Sequence, residues 1–112
     1  MNHRIQRVNE LIRKEIAQIL AREVGFKPGI FLTVAKVDTT KDLRYTRIFV
    51  SIFPEEETEY VMKTLGKEIY EIQGAINKKL HLKPLPRIEF KVDTTESKAD
   101  EIEKILKKIG DE

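Results

Sequence analysis

Hydrophobic residues recur at helical spacing in two long stretches of the chain. They return every third or fourth position in residues 3–24 and again in residues 61–76. Because an α-helix places such positions on one side, both stretches predict amphipathic helices. Gly25 follows the first helix as a C-terminal stop, and four glutamates at residues 55–59 favour the positive end of the second. The apolar positions are Ile5, Val8, Ile12, Ile16 and Ile19, then Val61, Leu65, Ile69, Ile72 and Ile76.

Three further stretches have the composition of β-strands. Residues 30–37 are rich in β-branched and aromatic side chains, but their alternation is mixed and leaves the buried face of this strand open. Residues 44–53 and 87–93 alternate cleanly between apolar and polar positions. The Asp- and Thr-rich turn at residues 38–42 predicts a hairpin between the first two strands.

A pair of small residues interrupts the second helical stretch. A helix that continued over residues 55–80 would be long for so small a domain, so Gly74 and Ala75 predict a structural kink between two helices. The alternative is that the pair forms an ordinary part of one continuous helix. Pro84 and Pro86 end the helical stretch in either case.

The order of these elements predicts the fold class. Ile102, Ile105, Leu106 and Ile109 indicate a last helix after the third strand. The order is then helix, strand, strand, helix, kink, helix, strand, helix. It predicts a two-layer α+β fold, with helices on one face of a three-stranded sheet. A chain of 112 residues has room for one core, so residues 1–112 are predicted to form a single domain.

Charge is abundant but nearly balanced. Charged residues make up 36% of the chain and the net charge is only +2, so their distribution carries the information. Basic residues gather on the outer side of the first helix, around the hairpin and along residues 78–91. If these groups merge, the pattern is typical of nucleic-acid binding. The predicted RNA-binding residues are Arg4, Arg7, Lys14, Lys41, Arg44, Arg47, Lys78, Lys79, Lys83, Arg87 and Lys91.

Several of these features have a simpler structural interpretation. On this interpretation, the basic side of the first helix is an ordinary solvated surface. Leu11 beside it is either a boundary residue of the core or a contact for a partner. Phe49 and Phe53 lie on the same face of the second strand as Arg47. They suit base stacking, or they cover the sheet and fill its edge.

The sequence lacks the motifs of catalysis and metal binding. It has no cysteine, and its five glycines fit neither nucleotide-binding loop pattern. His3 and His81 belong to no metal-binding motif, while Ser51 and Ser97 suit a strand and a helix cap. We therefore predict a binding protein rather than an enzyme, without cofactor, metal or small-molecule substrate. The lack of cysteine suits a cytoplasmic protein. No apolar run approaches the about 18 residues of a membrane span, so we expect no membrane partner.

Three stretches in order resemble the bacterial ribosome-binding factor A family. They read RVNELIRKEIAQIL, LTVAKVDTTKDLRYTRIFVSIF and LHLKPLPRIEFKVDTT, and the resemblance covers about residues 2–109. It implies a type II KH-like fold in which a kink at an alanine, matched by Ala75, replaces the GxxG loop of ordinary KH domains. The four-nucleotide clamp of that loop is therefore not implied. The segment Arg44-Tyr45-Thr46 departs from the Ser-His-Ala-like sequence of the family, so no contact is carried over there.

The resemblance also implies a function. Family members bind free immature small (30S) ribosomal subunits in the cytoplasm, assist processing of their ribosomal RNA, and are linked to growth in the cold. The implied partners are the small subunit and its ribosomal RNA, and we expect a monomer. Two alternatives remain open. One is a stand-alone KH-like module for single-stranded RNA, which would carry a GxxG loop. The other is a protein-interaction module that uses Phe49, Phe53 or Leu11.

Overall fold

The computed structural model of the chain describes residues 3–81 and 85–94. The predicted last helix and Lys83 lie outside these residues. The elements in chain order are α1 (His3–Glu23), β1 (Phe31–Thr39), β2 (Tyr45–Phe53), a 3-10 turn (Glu55–Glu57), α2 (Thr58–Lys79) and β3 (Arg87–Val92).

The three strands form one mixed sheet in the order β1-β2-β3. β1 and β2 are an antiparallel hairpin, whereas β2 and β3 are parallel and joined by α2 as the crossover. α1 packs against β1 and α2, and α2 packs against β3. The predicted α+β fold with a three-stranded sheet is confirmed.

The core between helices and sheet is aliphatic. Every predicted α1 stripe position from Val8 onward is buried, and Ile48 and Val50 meet that stripe from β2. Each such side chain contributes about 1.5–3 kcal/mol when it leaves water. The core of the described residues is therefore held mainly by apolar stripes that the sequence pattern identifies.

A β-bulge at Ala35 accounts for the mixed alternation of β1. Val34 pairs with Val50 but Lys36 pairs with Phe49, which leaves one residue of β1 without a partner between them. The buried positions are therefore even-numbered before the bulge, as at Val34, and odd-numbered after it, as at Thr39. The same shift brings Lys36 to the exposed face of the sheet.

The predicted division of the second helix is wrong. α2 is one helix that passes through Gly74 and Ala75. Ile72 and Ile76 lie on either side of the pair and are both buried, so the apolar stripe stays in phase across it. A glycine in a helix costs about 1 kcal/mol, which the burial of these two isoleucines outweighs.

Candidate nucleic-acid interface

A buried polar network fixes α1 against the end of the hairpin. The Thr39 hydroxyl donates to Asn9 Oδ1 on α1, and its oxygen lies 2.9 Å from the Thr46 hydroxyl on β2. Because Thr39 has already used its proton, Thr46 is the donor in this second bond. Both threonines are buried. The first turns of α1 therefore lie beside the β1–β2 turn.

Gln73 holds the last turns of α2 against the start of β3. Its Oε1 accepts the backbone N–H of Ile88 at 2.8 Å, and its Nε2 donates to the carbonyl of Pro86 at 3.2 Å. The backbone N–H of Arg87 in turn donates to the carbonyl of Arg44 at 2.8 Å. The end of α2, the start of β3 and the β1–β2 turn consequently meet at one end of the molecule.

This end of the molecule collects seven of the predicted RNA-binding residues, and we call it the basic end. They come from the start of α1, the β1–β2 turn, the end of α2 and the start of β3, and all are exposed. Lys14 lies on the outside of α1 about 10 Å further along the axis from Arg7. The members of the basic end are Arg4, Arg7, Lys41, Arg44, Lys78, Lys79 and Arg87.

Asp42 is the acidic residue of the β1–β2 turn, and its carboxylate accepts two hydrogen bonds within that turn. Its Oδ1 accepts the Thr40 hydroxyl at 2.6 Å and the backbone N–H of Arg44 at 3.1 Å. These bonds, the Thr40 bond first, hold the pKa of Asp42 below its usual range. Its carboxylate also lies 3.9 Å from the Arg44 side chain, an exposed pair. Asp42 thus shapes the turn, and its ionised carboxylate places one negative charge among the basic residues.

The opposite end of the molecule is acidic. α2 begins beside Glu55, Glu56 and Glu57, and the carboxylate of Glu57 pairs with Lys27 at 2.8 Å. The backbone N–H of Lys27 donates to the Tyr60 hydroxyl at 3.1 Å, which places the end of α1 here. β2 connects the two ends with nine residues, about 30 Å of strand. The described part of the molecule therefore has a basic end and an acidic end.

Two predicted site residues lie on the exposed face of the sheet instead. Arg47 is beside Glu89 on β3, with their side chains 4.0 Å apart. Lys91 on β3 is the register partner of Phe49 on β2. The ring centroid of Phe49 also lies 5.5 Å from Nζ of Lys36, on the neighbouring strand β1. The predicted set omitted Lys36, because the mixed alternation of β1 does not show which side of the sheet this lysine faces. Phe49 is half-buried, so it partly covers the sheet as the structural interpretation expected.

The described part of the chain shows neither a metal-binding cluster nor a membrane-spanning helix. Residues 3–81 and 85–94 contain no cluster of three or more His, Asp or Glu side chains suited to a metal ion. Within the same residues, neither helix is long and apolar enough to cross a membrane. The basic end, where basic residues from four chain segments meet, is the candidate functional surface.

A family model described as ribosome-binding factor A matches residues 4–106. The chain belongs to the ribosome-binding factor A family. A relative with that name from Dictyoglomus thermophilum is 38% identical over 98% of this chain and 93% of its own length. The ribosome-binding factor A of Clostridium perfringens is 35% identical over 96% of each chain.

Solved ribosome-binding factor A structures share the fold. The crystal structure of the protein from Thermus thermophilus aligns with a TM-score of 0.62 at 23% identity, covering 79% of this chain and 94% of that one. A homology model of the Thermus protein, fitted into a cryo-EM map of a 30S–RbfA complex, aligns with a TM-score of 0.64 at 24% identity. It covers 76% of this chain and 90% of the fitted one.

Proposed function

We propose that this protein binds the immature small (30S) ribosomal subunit through its basic end and assists processing of the subunit's ribosomal RNA. It acts in the cytoplasm as a single-domain monomer, by binding rather than by catalysis. The observation that carries the proposal is the convergence of basic residues from four chain segments at one end, opposite the glutamates. Family membership supports the choice of partner, because the Thermus relative is described in a complex with 30S.

The basic end has the chemistry that RNA phosphates require. Arg44 and Arg87 present planar guanidinium groups, which can bind phosphate with two parallel hydrogen bonds. Lys78 and Lys79 lie at the C-terminal end of α2, where their charges also offset the negative end of the helix dipole. The start of α1 adds the positive end of a second helix dipole. Together these groups favour a polyanion over a neutral partner.

The proposal is tested by cosedimentation with immature 30S subunits over a range of salt concentrations. We expect affinity to fall steeply with salt, because binding to phosphates releases counterions. The double variant Lys78→Glu, Lys79→Glu should bind at least about tenfold more weakly. Its log–log salt slope should be shallower by about two, one for each lost phosphate contact.

The matched control is Lys63→Glu, Lys67→Glu on the same helix. Both lysines are exposed, lie away from the basic end, and give the same change in net charge. We expect this variant to retain most of the affinity. Equal losses in the two variants would show that net charge, rather than the basic end, governs binding. No binding at low salt would reject the proposal.

A further inference from the structure

An exposed apolar groove lies at the end of the sheet where β1 begins and β2 ends, far from the basic end. Phe31 and Phe53 are register partners, 66% and 67% exposed, with ring centroids 6.5 Å apart. They line a groove of about 920 Å³ together with Ile52 and Val92, and Glu55 and Glu56 are at its edge. We call this surface the Phe groove. Two adjacent phenylalanines exposed to this extent are typical of a surface that another segment covers.

The charges around the Phe groove select against RNA. Glu55 and Glu56 are exposed, and Asp93 adds a third carboxylate to the lining. A phosphate backbone would be repelled here, whereas an apolar segment with lysines would be attracted. The occupant should therefore present aliphatic side chains next to basic ones.

The chain itself has such a segment within reach. The described residues end at Asp93 and Thr94, which line the Phe groove, and residues 95–112 follow. Residues 102–109 read IEKILKKI, four aliphatic residues interspersed with three lysines. Seven residues lie between Thr94 and Ile102, and the eight Cα–Cα steps that join them can span up to about 26 Å. The short connection gives the segment a high effective concentration at the groove.

We propose that residues 102–109 bind the Phe groove of the same molecule. Ile102, Ile105, Leu106 and Ile109 supply the apolar contacts, and the lysines face Glu55 and Glu56. Binding removes Phe31 and Phe53 from water and covers one end of the open sheet face. The proposal does not depend on the proposed function, since it concerns the opposite end of the molecule and needs no subunit.

A spin label tests this arrangement in the full chain. The protein has no cysteine, so Asp111→Cys gives a single labelling site next to residues 102–109. We expect the label to broaden the amide NMR signals of residues 31–33 and 51–53 strongly, and those of the basic end little. Adding Phe31→Ser and Phe53→Ser should abolish this broadening. The fold should survive, because both rings are two-thirds exposed.

Tyr70→Ser is the matched control, because Tyr70 is 84% exposed and lies on α2. The broadening at the groove should persist in this variant. A second variant, Ile105→Asp in the labelled chain, should remove it while leaving the groove intact. Uniform broadening, or broadening that survives the loss of Phe31 and Phe53, would overturn the proposal. Broadening of isotope-labelled chains by separate spin-labelled chains would also overturn it, because the occupant would then be a second copy.

Discussion

Gln73 shows how one side chain can set the position of a functional surface. It satisfies the Ile88 backbone N–H and the Pro86 carbonyl at once, and its Nε2 also lies 3.0 Å from Asn77 Oδ1. Ile88 is buried, so its N–H has little access to water if Gln73 is removed. The register of β3 and the exposure of Arg87 at the basic end therefore depend on this residue.

We expect Gln73→Ala to lower the free energy of unfolding by about 1–3 kcal/mol, the cost of leaving a buried donor unpaired. Asn77→Ala removes only the exposed bond between the two side chains and should cost less than about 0.5 kcal/mol. Urea unfolding of both variants measures the difference. Equal, small losses would mean that water replaces Gln73 at the Ile88 N–H.

Asp42 allows a test of the turn geometry by titration. The Thr40 hydroxyl bond is the largest cause of its lowered pKa, so Thr40→Ala should move that pKa back toward the ordinary value, while Thr40→Ser should keep it low. A lowered pKa in the folded state stabilises the turn above the unfolded pKa. This contribution is lost as the pH falls through the folded pKa. Carboxyl-carbon NMR titration gives the pKa directly, and a value unmoved in Thr40→Ala would rule out this hydrogen bond.

Among the helices and strands, α2 is the clearest case in which the burial of apolar side chains outweighs a local sequence pattern that suggests a break. Gly74 and Ala75 suggested a break because a helix over residues 55–80 would be long for so small a domain. The helix continues because Ile72, Ile76 and Leu80 are buried at successive four-residue steps. A Cβ atom added at Gly74 would meet no atom within 4 Å, so no close contact requires a glycine there.

Gly74→Ala should therefore raise the free energy of unfolding by about 0.5–1 kcal/mol, through helix propensity alone. Ala75→Leu should lower it by about 1–3 kcal/mol, because Ala75 packs against the core and a larger side chain must displace its neighbours. Thermal unfolding of the two variants compares them directly. A destabilised Gly74→Ala variant would show that the pair needs glycine after all.

The elements that could be predicted from the sequence are those whose pattern is regular. The stripe of α1 and the alternation in the first half of β2 match the structure because burial on one side is what produces those patterns. In β3 only the start follows the pattern, since Ile88 is buried whereas Val92 is exposed. The bulge at Ala35 shows in the sequence only as mixed alternation, and the bridging role of Gln73 leaves no periodic signal, since each depends on a partner distant in the chain. The exposed position of Lys36 was consequently out of reach.

At the scale of the whole molecule, the organising feature is the separation of charge between two ends. The sequence identified most of the basic residues, but only the fold shows which of them meet. Seven converge at the basic end, while Arg47 and Lys91 lie on the sheet face beside Glu89 and Phe49. Convergence arises from the parallel β2–α2–β3 crossover, which composition and net charge do not encode.

The distance between the acidic end and the basic end predicts how salt concentration changes the effect of the acidic end on subunit binding. Glu55→Lys with Glu56→Lys adds four charges and raises the net charge from +2 to +6. The Debye length is about 8 Å at 0.15 M salt and about 30 Å at 0.01 M, against about 30 Å between the ends. We expect the association rate with 30S subunits to rise at low salt and to stay unchanged within about twofold at 0.15 M.

Stopped-flow measurements at the two salt concentrations test this expectation. The Lys78→Glu, Lys79→Glu variant should associate more slowly at both, since its charges lie at the contact itself. A strong gain at 0.15 M from the glutamate changes would contradict it, because that gain would require the acidic end to lie at the subunit surface.

The bulge at Ala35 also affects whether separate molecules of the protein associate with one another. β1 is an edge strand of the sheet, and a long, flat edge is a template on which a second chain can add its own strand. The extra residue bends that edge, and Lys36 next to it places a charge on the outward face. One irregular residue thus helps keep the sheet from extending between molecules, and a chain with Ala35 deleted would lose this protection against self-association.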